Sequence, residues 1–115
     1  MERILILDDS EERMKNFMRR FVHDTNVQVT LCMAVWEALR ALEERDRFDT
    51  IMLDHDLGSG CPEGDVVAKY IANELPEDKR PSLVIVHSHN FAASERMVNL
   101  LRDVGIRACH KPYQA

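Results

Sequence analysis

Five short apolar or alternating runs, each followed by polar residues and separated by segments of helical periodicity, fix what this chain can fold into. Ile4 to Leu7 is wholly apolar, as expected of a strand covered on both faces. Asp8 and Asp9 end it, and Ser10 or Asp9 is placed to cap a helix whose stripe is Met14, Phe17, Met18, Phe21 and Val22. Asp24 to Asn26 makes a turn. Val27, Val29 and Leu31 alternate with Gln28 and Thr30, which predicts an edge strand. A second helix shows Val35, Ala38, Leu39 and Leu42 and runs out in the charged stretch Glu43 to Arg47. Thr50 to Leu53 is the third strand, and Leu57 to Glu63, with two glycines, a serine and a proline, is a loop. Val66, Val67, Tyr70, Ile71 and Leu75 mark a third helix, stopped by Pro76. Leu83 to Val86 is a fourth strand. Met97, Leu100, Leu101 and Val104 lie on a fourth helix ended by Gly105, and Ile106 to Cys109 is a fifth strand.

Strands joined by helical crossovers predict a parallel sheet with right-handed connections. The expectation is one doubly wound, flavodoxin-like α/β domain over residues 1–115, with strand order 2-1-3-4-5 and no fifth helix. A chain of 115 residues suits one domain.

Composition narrows the function. With 15 basic and 20 acidic residues the net charge is −5, and there is no basic run. That argues against duplex nucleic acid as a partner. No apolar stretch approaches a membrane span, and Met1 to Asp9 lacks the apolar region of a signal peptide. Cys32, Cys61 and Cys109 are odd in number and far apart, which predicts reduced thiols in a cytoplasmic protein.

In such a sheet ligands bind beyond the carboxyl ends of the strands. The unusual residues follow those ends: Asp8-Asp9, Asp54-His55-Asp56, His87-Ser88-His89-Asn90 and His110-Lys111. Strands one and three should be neighbours, so up to four carboxylates converge. Charges that close repel one another unless a cation lies among them. Asp8, Asp9, Asp54 and Asp56 are therefore the candidate ligands of Mg²⁺ or Mn²⁺, which favour oxygen donors. Either acid of the first pair alone would read as a helix cap facing solvent. His23 and His110 read as solvent-facing or capping, His89 divides evenly between surface and site, and for His55 and His87 a satisfied structural imidazole is the competing role. Ser59, Gly60 and Gly64 shape the loop, and the glycines would also let a substrate approach the backbone.

Ile4-Leu5-Ile6-Leu7-Asp8-Asp9-Ser10, Met52-Leu53-Asp54, Val86-His87-Ser88 and His110-Lys111-Pro112-Tyr113 resemble the four signature segments of response-regulator receiver domains. The resemblance implies that Asp8, Asp9 and Asp54 hold Mg²⁺, that Asp54 accepts a phosphoryl group, and that Ser88 and Lys111 contact it. Gly64 resembles the glycine after the receiver's third strand, about two residues late. Three features depart from the pattern: His55-Asp56-Leu57-Gly58 after Asp54, His-Ser-His-Asn at strand four, and no fifth helix after Lys111-Pro112. Leu-Asp-His-Asp-Leu-Gly with His-Ser-x-Asn is similar to the divergent cyclic-phosphate-processing receiver domains.

Opening a cyclic phosphodiester needs a polarised phosphoryl oxygen, an activated water and an acid for the leaving oxygen. The candidate catalytic residues are Asp54, His55, Asp56, His87, Ser88 and Lys111. Asp56 would orient the water, His55 or His87 would pass a proton, and Lys111 would neutralise charge. Ser88, Asn90 and Lys111 are the candidate substrate contacts, and the substrate is a phosphate-containing small molecule or nucleotide. The expectation is a metal-dependent phosphoesterase. The alternatives are a single-domain receiver phosphorylated on Asp54 and a nucleotide- or metal-binding module without turnover. Without a fifth helix, one sheet face would be covered by the first helix alone, which predicts a homodimer through that face; the competing explanations are that Tyr113 and the last residues fold back over it or that a different partner covers it.

Overall fold

Five parallel strands in the order β2-β1-β3-β4-β5 form the sheet of the computed structural model, which describes residues 1–58 and 60–113. The elements are β1 (Glu2–Leu7), α1 (Glu11–Phe21), β2 (Val27–Cys32), α2 (Val35–Glu44), β3 (Thr50–Leu53), α3 (Asp65–Asn73), a one-turn 3₁₀ helix (Glu77–Lys79), β4 (Leu83–Val86), α4 (Phe91–Asp103) and β5 (Ala108–His110). The strand order and crossovers are those read from the sequence, and β2 is an edge. Ser59, assigned above to the loop, lies outside the described residues.

Local chemistry sets the boundaries. Ser10 caps α1 by accepting from the Arg13 N–H, with Glu11 and Glu12 in the first turn beside the positive helix end. Asn90 caps α4 by accepting from the Ala93 N–H. Gly105, at φ 85°, takes the left-handed conformation that ends α4. Two readings shift. The fifth strand was expected over Ile106 to Cys109, but the Ile106 N–H bonds to Leu101 O in the turn that closes α4, so β5 starts at Ala108 and includes His110. In α1 only Met14 and Phe17 are buried, while Met18 and Val22 are exposed.

The two faces of the sheet differ. Leu5, Leu7, Ile51, Leu53, Val84 and Val86 have no exposed surface and pack under α2, α3 and α4. Each such side chain contributes about 1.5–3 kcal/mol on burial. On the other face Ile4 and Ile6 pack with Met14 and Phe17 of α1, and Tyr113 lies against the same cluster. Beside α1 a groove of about 710 Å³ runs along the sheet, floored by half-buried Met52, Leu83 and Ile85. Among the described residues no helix is long and apolar enough to cross a membrane. The cysteines are free, and burial pushes the Cys32 thiol up to about 11.

We propose that a second copy of the chain covers this groove. Glu2 and Asp24 lie at the end nearest the strand starts, His110 and Lys111 at the end nearest the strand finishes, and Arg20 lines the groove over the Phe17 and Tyr113 rings. A two-fold copy laid antiparallel would therefore set basic against acidic ends over the apolar floor. Light scattering should give a dimer at micromolar concentration, weakened by Lys111→Glu and restored by Glu2→Lys with Lys111→Glu. A 13.3 kDa monomer throughout a dilution series overturns the proposal.

Candidate functional site

Register brings the acids together. Leu7 pairs with Leu53, and Leu53 pairs with Val86, so Asp8, Asp54 and His87 are the next residues on three adjacent strands. The Asp54 N–H donates to Leu7 O and the His87 N–H to Leu53 O, which carries the ladder one residue further. Side chains alternate between faces. Asp8 follows Ile4 and Ile6, Asp54 follows Met52, and His87 follows Ile85, so all three lie on the α1 side. Each is buried.

The first helix supplies the compensating charge. Arg13 forks onto Asp8, with Nε to Oδ2 at 2.7 Å and Nη2 to Oδ1 at 2.8 Å. His87 Nε2–H donates to Asp8 Oδ2 at 2.9 Å, and the Ser10 N–H donates to Oδ1 at 2.9 Å. Those four bonds fill the lone pairs of one carboxylate. Burial raises the Asp8 pKa, but the bonds from His87, Arg13 and Ser10 together hold it at about 2. Asp54 differs. Among the described residues its Oδ1 accepts only from the His55 N–H at 2.9 Å, and Arg13 Nη2 stands 3.4 Å from its Oδ2. Burial and then the Asp8 charge push the Asp54 carboxyl above its usual value, against His87 and Arg13. Asp9 points outward, 3.7 Å from Arg13 Nη2.

A second polar group lies beyond Asp54. His55 Nδ1–H donates to Asp56 Oδ1 at 2.7 Å and stands 3.5 Å from Glu63 Oε2. That bond from His55 holds the Asp56 carboxyl below its usual value. Asn90 Nδ2 reaches Asp56 Oδ1 at 3.5 Å. The loop is closed where the Gly64 N–H donates to His55 O, and a Cβ on Gly64 would stand 1.8 Å from Asp54 O. Only glycine permits that approach.

Between these groups is a pocket of about 160 Å³ lined by Arg13, Asp54, Asp56, His87, Ser88 and His89, with Tyr113. Of the residues singled out from the sequence, the structure gathers Asp54, Asp56, His87 and Ser88 at the pocket. Asp8 and Asp9 are not among its lining residues and meet it through Arg13, and His55 meets it through Asp56. Ser88 Oγ is occupied by the Asn90 N–H, and Asn90 Oδ1 by the helix cap. His110 is half-buried, and its Nε2–H donates to Ser88 O. His89 Nε2–H donates to Tyr113 O. Lys111 is not gathered. It continues the β5 row through Arg107 and Cys109 and lies along the open groove beside Leu83 and Ile85. The pocket's cation is Arg13, which the sequence reading missed because the first helix was read for its cap and its apolar stripe and not for a basic residue facing the acids.

For a divalent ion the donor set fits in part. Asp54 Oδ2 and Asp9 offer weakly engaged oxygens, as Mg²⁺ or Mn²⁺ favours. Asp8 has no lone pair left and fits as a partner of Arg13 rather than a ligand. Asp8, Asp54 and His87 bring ligand atoms within 4.8 Å of one another, and so do His55, Asp56 and Glu63.

Residues 3–103 match the model of a family described as the cyclic-phosphate processing receiver domain. No curated protein matches. Among solved structures, an adenylate cyclase from Rhodopirellula baltica is 27% identical, with a TM-score of 0.70 over 98% of this chain and 78% of that one. The non-phosphorylated HemR receiver domain from Leptospira biflexa is 22% identical, with a TM-score of 0.74 over 100% of this chain and 84% of that one. The Mn²⁺-bound form of response regulator Rcp1 is 19% identical, with a TM-score of 0.71 over 99% and 82%. The last two likenesses speak to the fold alone.

Two stability outcomes follow from the geometry. The Asp8 pKa is about 2 in the fold against 3.8 for an ordinary aspartate. A depressed pKa stabilises the fold above the unfolded value and loses that contribution as pH falls through the folded one. The shift corresponds to about 2 kcal/mol at neutral pH. Urea unfolding of Asp8→Asn should therefore show a deficit at pH 7 that narrows as the pH drops from about 4 to about 2. A deficit independent of pH would refute the assignment. Gly64→Ala should cost about 1–3 kcal/mol, because the Asp54–His55 peptide must move. An unchanged urea midpoint would count against that packing.

Proposed function

The chain belongs to the cyclic-phosphate processing receiver domain family, and from that premise we propose that it is a metal-dependent phosphoesterase opening a cyclic or terminal nucleotide phosphate beside Asp54. The observation carrying this reading is the set of proton-handling groups around the pocket. Phosphoryl acceptance on an aspartate needs no imidazole, yet His87 and His89 line this pocket and His55 backs Asp56.

Asp54 and Asp9 are the residues that would hold the divalent ion. It would polarise the phosphoryl oxygen. Asp56, ionised and fixed by His55 Nδ1–H, orients the attacking water, and the Asp56–His55 pair takes its proton. The water oxygen bonds to phosphorus as one ester P–O bond breaks. His87 protonates the departing oxygen. Its Nε2–H is committed to Asp8, which orients the ring, so the transferred proton would come from Nδ1; that atom is buried and has no partner among the described residues, and the substrate must uncover it for the transfer. The product is an open phosphomonoester. In this reading Ser88 and Asn90 shape the pocket wall, and Lys111 makes no contact with the reacting group.

The second reading, a receiver phosphorylated on Asp54, is favoured by the weakly engaged Oδ2 of that residue. One assay separates the two. The protein with Mg²⁺ or Mn²⁺ is incubated with 2′,3′- and 3′,5′-cyclic nucleotides, and with acetyl phosphate in parallel. Hydrolysis should yield the open monoester. Asp54→Ala should abolish it, and His87→Ala should lower kcat about 10²- to 10⁴-fold with little change in KM. Stable phosphorylation of Asp54 by acetyl phosphate with no hydrolysis would establish the receiver instead. Binding without either reaction would leave a binding module.

A further inference from the structure

We propose that Arg13 is the phosphate-binding and charge-setting residue of the pocket. Its fork on Asp8 holds the guanidinium in place, and its outward N–H groups receive the non-bridging phosphate oxygens. Its positive charge beside Asp54 and Asp9 sets how tightly a divalent cation is held. The assignment rests on the phosphoesterase reading only in taking the ligand to be a phosphate.

Three observations carry it. First, the contacts of Arg13 are unequal. The two bonds to Asp8, at 2.7 and 2.8 Å, are tight, while Asp54 and Asp9 stand at 3.4 and 3.7 Å. A guanidinium carries five N–H groups. Two are spent on the buried carboxylate, the second N–H of Nη2 faces Asp54 and Asp9, and the two of Nη1 have no hydrogen bond or ion pair among the described residues. Second, the side chain is 31% exposed where Asp8 is 0%, so one edge is anchored and the other opens to the pocket. The Tyr113 ring, 5.9 Å from the guanidinium carbon, supports it from the side. Planar, bidentate guanidinium recognition is what a phosphate favours. Third, Lys111, the cation the sequence offered for this role, lies along the groove beside Leu83 and Ile85. Arg13 is the cation lining the pocket among the described residues.

The electrostatics give the sign. A positive charge 3.4 Å from Asp54 Oδ2 opposes a divalent ion bound there and attracts a phosphate beside it. Removing the charge should tighten the metal and loosen the anion. Removing only the fork should loosen the anion and leave the metal nearly unchanged.

The test uses Mn²⁺ alone, followed by inorganic phosphate, on wild type, Arg13→Met and Arg13→Lys. Free Mn²⁺ is read by electron paramagnetic resonance, phosphate by calorimetry on Mn²⁺-loaded protein, and folding by circular dichroism. Arg13→Met should bind Mn²⁺ at least about tenfold more tightly and phosphate at least about tenfold more weakly. Arg13→Lys should keep Mn²⁺ affinity within about threefold and still lose about tenfold for phosphate. Arg13→Met leaves Asp8 short of a partner. Should it fail to fold, Arg13→Lys decides: wild-type phosphate affinity in that variant overturns the proposal. So does unchanged or weakened Mn²⁺ binding in a folded Arg13→Met. Cyclic-nucleotide turnover separates the two claims. Expected shifts in Mn²⁺ and phosphate without hydrolysis sustain Arg13 and defeat the phosphoesterase reading. Hydrolysis with unshifted affinities does the reverse.

Discussion

Asp8 cannot be buried as a bare charge. An isolated carboxylate in a protein interior is neutralised, paired or forced out, and Asp8 has no exposed surface. Four donors from three places satisfy it: the Arg13 fork from α1, His87 from the end of β4, and the backbone after β1. That pairing ties α1 to the strand ends on the thinly covered face. It also fixes the His87 ring, which meets Phe17 edge-on, and Phe17 meets Tyr113 in the same way. Removing one partner would leave the others holding an uncompensated charge, so the arrangement acts as a unit.

The sheet's asymmetry gives that unit its place. The face under α2, α3 and α4 is apolar to the strand ends, and nothing in it draws charge inward. The α1 face carries the alternate residues, and its rows Ile4-Ile6-Asp8 and Leu83-Ile85-His87 pass from apolar to polar within one register step. The site is the polar end of a thin second core. Among the described residues α1 is the one helix over that core, and its first turn reaches the acids directly.

The strands were legible because each apolar run is short and bounded by polar or turn residues. The topology followed from their alternation with helices. The acids were legible as a cluster because strand ends converge in any such sheet. Arg13 was not. Acidic residues favour the first turn of a helix, and a basic residue beside them reads as solvated surface unless the buried face opposite is known to be acidic. Period-2 counting from Leu83 and Arg107 would have put His87 and Lys111 on the α1 side. It would also have set the Lys111 backbone two strands, about 10 Å, from that of Asp54, a gap that only the long side chain could span. Glu63 lies eight residues beyond His55 in sequence and is brought back by the Gly64 closure. A loop's composition announces a turn without saying which of its acids returns to the site. The Asn90 side chain was read as a ligand contact, although a short polar residue before a helical stripe is equally a cap.

The two buried aspartates are driven apart by their surroundings. Asp8 accepts four hydrogen bonds and stays ionised to about pH 2, so it serves as a fixed charge that orients Arg13 and His87. Asp54 accepts one close bond, feels Asp8 beside it, and has its pKa raised. Opposite shifts in neighbouring carboxyl groups divide their roles. The saturated acid builds the site, and the undersatisfied one is left to meet a cation or a phosphoryl group. The sign for stability is also opposite. A raised pKa makes the ionised form unfavourable to the fold above that pKa, and the penalty is relieved as pH falls. The fold therefore tolerates strain at Asp54 while the Asp8 network holds the strand ends together, and a cation brought to Asp54 would remove the strain where the chemistry takes place.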